Sequence, residues 1–187
     1  MADDALALAT VVVRHCLLPN PAVVAQFTTP VFASIRSNRA LGARGTIVAQ
    51  GGHRVLLDDN TTPRWSLLVT HGYGPNLPSG SRGWSIAHVW PRAQCAESYC
   101  ALGNLALVPL ALASLTDGAS PVADYLRFHA WSAYGWRPPD VPLPEKPAGY
   151  ASLGWRYLRP NNDAPASIEA FLSRSSNAWV ALLRTLE

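Results

Sequence analysis

The sequence predicts a single α+β domain spanning residues 1–187, with a small β core enclosed by helices from both ends. Three observations lead there. Strand-like runs gather in the middle of the chain, at "TIVAQGGHRVLLDDN", "WSIAHVW" and "LGNLALVP", while apolar residues at helical spacing occupy both ends. Hydrophobic residues make up 49% of the 187 positions and charged residues only 14%, which excludes a disordered chain and suffices for a buried interior. No run approaches the roughly 18 to 20 apolar residues that cross a bilayer.

Residues 1–45 read as N-terminal helices. Leu6, Ala9, Val12, Val13, Cys16 and Leu17 share one helical stripe, and Pro19-Asn20-Pro21 breaks it. Thr29-Pro30 predicts a second helix start, stopped by Gly42 and Gly45. Residues 46–82 read as hairpin, helix and loop. Thr46 to Leu57 forms two β-prone runs around Gly51-Gly52, the pair that a tight turn with positive φ demands. Asp58-Asp59-Asn60 then suits a turn and helix cap better than a metal cluster, because Thr62-Pro63 follows directly. Gly72 to Gly83 is an exposed loop that ends beside Arg82.

Residues 83–135 hold the chemistry-bearing stretch. "WSIAHVW" alternates as a strand and Pro91 ends it, leaving His88 near the strand's end. "LGNLALVP" offers a second strand, and "PLALASLTD" from Pro109 has helical composition. A further helix opens at Ser120-Pro121, carries Val122, Tyr125, Leu126, His129 and Ala133 on one stripe, and ends at Gly135. Residues 136–164 form an extended strap, with five prolines between Arg137 and Gly149. Residues 165–187 predict one C-terminal helix with Ile168, Phe171, Leu172, Trp179, Leu182, Leu183 and Leu186 on its apolar face.

The order of "AHVWP", a loop, "GNLALVP" and a helix resembles the His-Me finger nucleases, in particular their HNH group, over about thirty-five residues. The resemblance implies a ββα-metal core. It implies His88 as the base that takes a proton from water attacking a phosphodiester, a task suited to an imidazole's near-neutral pKa. It implies Asn104 as the residue that orients that imidazole, and a divalent ion, magnesium or manganese, at the leaving oxygen. The "LTD" and "LRFHAWSAYGW" stretches also resemble bacterial proteins, a likeness that brings no chemistry with it.

Two positions depart from the family's pattern. Where an acidic ligand usually precedes the His stands Ala87, and where a helix ligand should follow stands Ala113. Asp117, one turn beyond Ala113 on the same helix face, is a candidate replacement. An introduced change at Ala87 would account for one lost ligand but not both. A finger kept for binding without catalysis is the alternative, with Arg36, Arg39, Arg44, Arg82 and Arg92 as phosphate contacts.

Charge and cysteine content bear on partners. The net charge is +3, and of the fifteen basic residues only Lys146 is not Arg, which suits phosphate binding and equally reflects base composition. Cys16, Cys95 and Cys100 are an odd number after an acidic N-terminus, so a reducing, cytoplasmic setting is expected. A structural zinc from these with His15 or His129 is not favoured, because the paired Cys-x-x-Cys signal is missing. Trp84 and Trp90 should share His88's strand face and lower its pKa. The expectation is therefore a metal-dependent nuclease acting on DNA. Its alternatives are a degenerate nucleic-acid- or protein-binding module, or a subunit or homo-oligomer that covers its sparsely charged surface, with no membrane partner.

Overall fold

The structure, a computed structural model, describes residues 2–75, 83–116 and 120–186. Gly51 and Gly52, with φ of 57° and 82°, turn a tight hairpin between β2 (Ile47–Gln50) and β3 (His53–Asp58), whose ends pair Gln50 with His53. Both φ values are positive, the conformation that matches the twist of the flanking strands and that side chains with a Cβ resist.

The Thr29-Pro30 helix is not formed. Instead β1 (Ser34–Arg36) runs parallel to β3, with Ile35 opposite Leu57, and makes a three-stranded mixed sheet of order β1-β3-β2. Tertiary burial overrides the local start signal. Ile35 disappears among Val48, Val55 and Leu57, and the backbone of β1 covers an edge of β3 that would otherwise be unpaired.

Asp58 ends β3 and caps the next helix, α3 (Thr61–Thr70): its Oδ2 accepts from the Thr62 amide at 2.7 Å and the Thr62 hydroxyl at 2.8 Å. The cap expected from Asp58-Asp59-Asn60 is thus present, with Asn60 in the left-handed region at φ 60° to make the turn.

The second sheet is the antiparallel pair β4 (Trp84–His88) and β5 (Leu105–Pro109), in register Ala87 with Ala106 and His88 with Leu105. Trp84 and Ile86, with Leu105 and Leu107, face Leu67 of α3. Ala87, Ala106 and Val108 face the other way, against α1 (Ala2–His15) and α5 (Pro121–Tyr134). The far edge of β5 is closed by Leu17, whose amide and carbonyl both bond Leu107, and Leu18 in turn bonds Arg156 and Leu158.

Helix α5 is built as its sequence predicts: the Ser120 side chain caps the Val122 amide, and Gly135 ends the helix at φ 65°. The helix expected from Pro109 is a 3-10 stretch, Leu110–Thr116. It is only seven residues long before a second helix start at Ser120-Pro121, too short for α-helical nucleation to be favourable without burial, and Leu110 is 62% exposed. Two short helices, α2 (Pro21–Val24) and α4 (Ala96–Tyr99), lie in the connections. The C-terminal helix is two helices, α6 (Ala164–Arg174) and α7 (Ala178–Arg184), because Asn177 caps the Trp179 amide and starts a new one. Helix α6 packs on α3 around Trp65, Val69 and Phe171, and α7 joins the same cluster through Val180 and Leu183. The strap is fastened to α5 by the Tyr125 hydroxyl, which donates to the Ala148 carbonyl at 2.7 Å. Among the described residues no helix is long and apolar enough to cross a membrane.

Candidate functional site

His88 stands at the last position of β4, where the strand gives way to a loop that contains Pro91 and runs to α4. Its ring stacks on Tyr99, with centroids 5.2 Å apart and planes 7° from parallel, and its Nε2 lies 3.1 Å from the Tyr99 carbonyl. A carbonyl only accepts, so Nε2 carries the proton and a neutral ring keeps its lone pair on Nδ1. Burial lowers the His88 pKa to about 4, the Tyr99 carbonyl partly offsets this, and the Arg36 charge lowers it further. The imidazole is therefore neutral at physiological pH, the state a base needs.

Tyr99 is itself fully buried and held from behind: its hydroxyl accepts from the Asn60 amide at 2.7 Å. Burial and the neighbouring Asp58 push its phenol well up, so it stays protonated. Asp58 is wholly buried, and its Oδ1 has no hydrogen-bond partner. Neither Tyr99 nor Asp58 was a candidate site residue from sequence; an aromatic in the segment between two strands and an acid after a strand give no signal of a shared location.

Asn104 does not touch the imidazole. Its Oδ1 accepts from the Trp90 amide at 2.8 Å, and its Nδ2 donates to the Trp90 carbonyl at 3.3 Å and the Ser98 carbonyl at 3.0 Å. The Asn104 carbonyl accepts from the Val89 amide at 2.9 Å. This buried amide ties both ends of the inter-strand loop together, and so fixes the residue next to the carbonyl that orients His88. Its action on the imidazole is one step removed.

Ala87 is 8% exposed and points into the core beside Val12, Val122 and Leu126. Ala113 lies on the 3-10 stretch, half-buried, where its carbonyl accepts from the Thr116 hydroxyl. Asp117 and Arg82 fall outside the described residues. Among the described residues no group of three His, Cys, Asp or Glu is placed to hold a metal. The positions that the resemblance reserves for ligands carry methyl groups, one of them in the core, so the residues present there do not make that metal site.

The arginines divide. Arg36 is exposed beside His88 and pairs with Asp59 at 3.4 Å. Arg39 is exposed in the turn after β1. Arg44 is exposed, stacks 4.4 Å over Trp179 and donates to the Thr61 hydroxyl. Arg92 is engaged with Asp140 of the strap at 2.7 Å. Of the aromatics, Trp84 shares the His88 face as expected, but Trp90 does not: the strand ends at His88, and Trp90 turns into the opposite cluster against Trp136.

The three cysteines are free thiols in separate settings. Burial pushes Cys16 up to about 12 and Cys100 up to about 11, the latter lying 3.1 Å from the Ser34 hydroxyl. His129 is enclosed by Tyr150 at 2.8 Å, Tyr157 at 3.1 Å and the stacked ring of Trp155, with its pKa lowered to about 4 by burial. His15 is exposed on α1.

No family model, curated protein or solved structure matches the chain. Its own geometry therefore carries the functional argument.

Proposed function

We propose that the chain is a phosphodiester hydrolase of the His-Me finger type acting on DNA, with His88 as the base. One observation carries this reading: the Tyr99 carbonyl holds the proton on Nε2 and leaves Nδ1 as the basic atom of a ring kept neutral by burial. In the step proposed, Nδ1 takes a proton from water as the water oxygen bonds phosphorus and the ester oxygen departs. Asn104 is a positioning residue, acting through the loop. Arg36, Arg39 and Arg44 are exposed and would meet the phosphates, Arg36 by giving up its ion pair with Asp59. Because Ala87 and Ala113 supply no oxygen, no ligand set for magnesium or manganese can be assigned.

Incubation with supercoiled plasmid, across magnesium and manganese concentrations and with EDTA, tests the reading. Cleavage that disappears in a folded His88→Ala variant supports it; no cleavage under any condition, or cleavage indifferent to His88→Ala, overturns it. A second reading, a finger that binds DNA without cutting, is favoured by Ala87 standing in the core. It predicts retention of DNA that survives EDTA and His88→Ala and weakens with salt and with Arg36→Ala plus Arg44→Ala.

A further inference from the structure

Helix α1 has an outer face without polar groups along its middle. Its inner face is conventional, with Ala9, Val12 and Val13 at 0, 0 and 1% exposure. On the outer face Ala7 is exposed, Leu8 is 39% exposed and Val11 is 45% exposed. Between Ala5 and Val13 the one polar side chain is Thr10, and its hydroxyl donates to the Leu6 carbonyl at 2.7 Å. A helix on a protein surface ordinarily turns polar residues outward; one that is apolar all round has a second surface to meet. The adjoining 3-10 stretch brings Leu110, 62% exposed, to the surface as well.

The ends of α1 specify what that surface is. Asp3 and Asp4 lie in its first turn, and Arg14 and His15 in its last. Asp4, Leu8, Val11 and His15 follow one another at steps of four, three and four, the spacing of a helix-pairing seam. Laid antiparallel against itself about a two-fold axis, this seam sets Leu8 of one copy against Val11 of the other and the acidic turn of each against the basic turn of its partner. A parallel arrangement would set acid on acid. The face is self-complementary in one orientation only, as an isologous contact requires. A lipid surface fits less well, because interfacial helices flank their apolar face with cations, whereas here one flank is acidic.

We infer that a second copy of this chain docks on α1, antiparallel, through Leu8 and Val11. A helix of 14 residues is about 21 Å long and buries less than a standard interface, so the dimer is a weak, concentration-dependent one.

Sedimentation equilibrium over a wide concentration range tests this. The wild-type chain should rise from one to two copies in mass, and Val11→Glu, at an exposed position, should stay at one copy while melting as the wild type does. Charge variants test the meeting of the charged ends. Asp3→Arg with Asp4→Arg has two basic ends, and Arg14→Glu with His15→Glu has two acidic ends; each alone should remain single, and their mixture should form a one-to-one pair. A wild-type chain that stays single at every concentration overturns the inference, as does a dimer that survives Val11→Glu or a mixture that does not associate. Loss of wild-type but not Val11→Glu protein to phosphatidylcholine–phosphatidylserine vesicles, without self-association, would assign the face to lipid instead.

Discussion

Ala87 and His88 are neighbours in the chain that stand on opposite faces of the β4–β5 ribbon, Ala87 in the core beneath α1 and α5, His88 against Tyr99. A strand's alternation makes this unavoidable. Aspartate at position 87 would put a carboxylate among Val12, Val122 and Leu126, with no partner. Ala87→Asp should lower unfolding free energy by about 3 kcal/mol or more, measured by urea titration, and should not raise cleavage above that of the wild type. An Ala87→Asp protein as stable as wild type would contradict this placement.

His88 must be unprotonated to accept a proton, and its pKa is lowered to about 4. The acid limb of the cleavage rate should accordingly fall near pH 4 instead of near the ordinary histidine value. Initial rates across the acidic range measure it. A limb centred near 6.5 would show that the base is a solvated imidazole or another group.

Asn104 satisfies one backbone amide and two carbonyls inside the core. Asn104→Ala strands all three, and Asn104→Asp keeps an acceptor for the Trp90 amide while turning a negative oxygen toward two carbonyls. Both should cost about 2 to 4 kcal/mol in denaturant, with Asp no better than Ala. A well-tolerated Asp would mean that the amide's donors are not used.

His71 and His129 are buried neutral, each with its pKa lowered from 6.5 to about 4. His71 is neutral by geometry as well as by burial: its Nδ1 bonds the Leu67 carbonyl and its Nε2 accepts the Asn20 amide. Between those pH values the unfolded chain binds more protons than the folded one, so stability is complete above pH 6.5 and declines as pH falls toward 4. Each contributes a loss on the order of 3 kcal/mol. Urea midpoints at neutral and mildly acidic pH check the sign; an unchanged midpoint would refute it.

Local signals were legible where local chemistry decides the outcome. Gly51-Gly52, the Ser120-Pro121 start and the Gly135 stop each act through backbone preferences that a few residues encode, and the structure has all three. The strands around His88 and Asn104 were visible for the same reason, as short β-prone runs between breakers. What sequence reading missed depends on distant partners. Ser34–Arg36 is a strand because β3 offers an edge, not because of its own composition. Tyr99 meets His88 only because the loop folds back, and Asn104 meets the loop's backbone and not the ring that the resemblance assigned to it.

The pairing of Leu17 with Leu107, and of Leu18 with Arg156 and Leu158, stitches segments from both ends of the chain onto β5. That margin of the ribbon bearing His88 is therefore covered at Leu107 by Leu17, and Leu18 is covered in turn by residues 156–158. A fragment cut down to the thirty-five-residue stretch would expose an unpaired strand edge and invite sheet-to-sheet aggregation. The β4–β5 pair is woven into its surroundings, and cannot be lifted out as a portable unit.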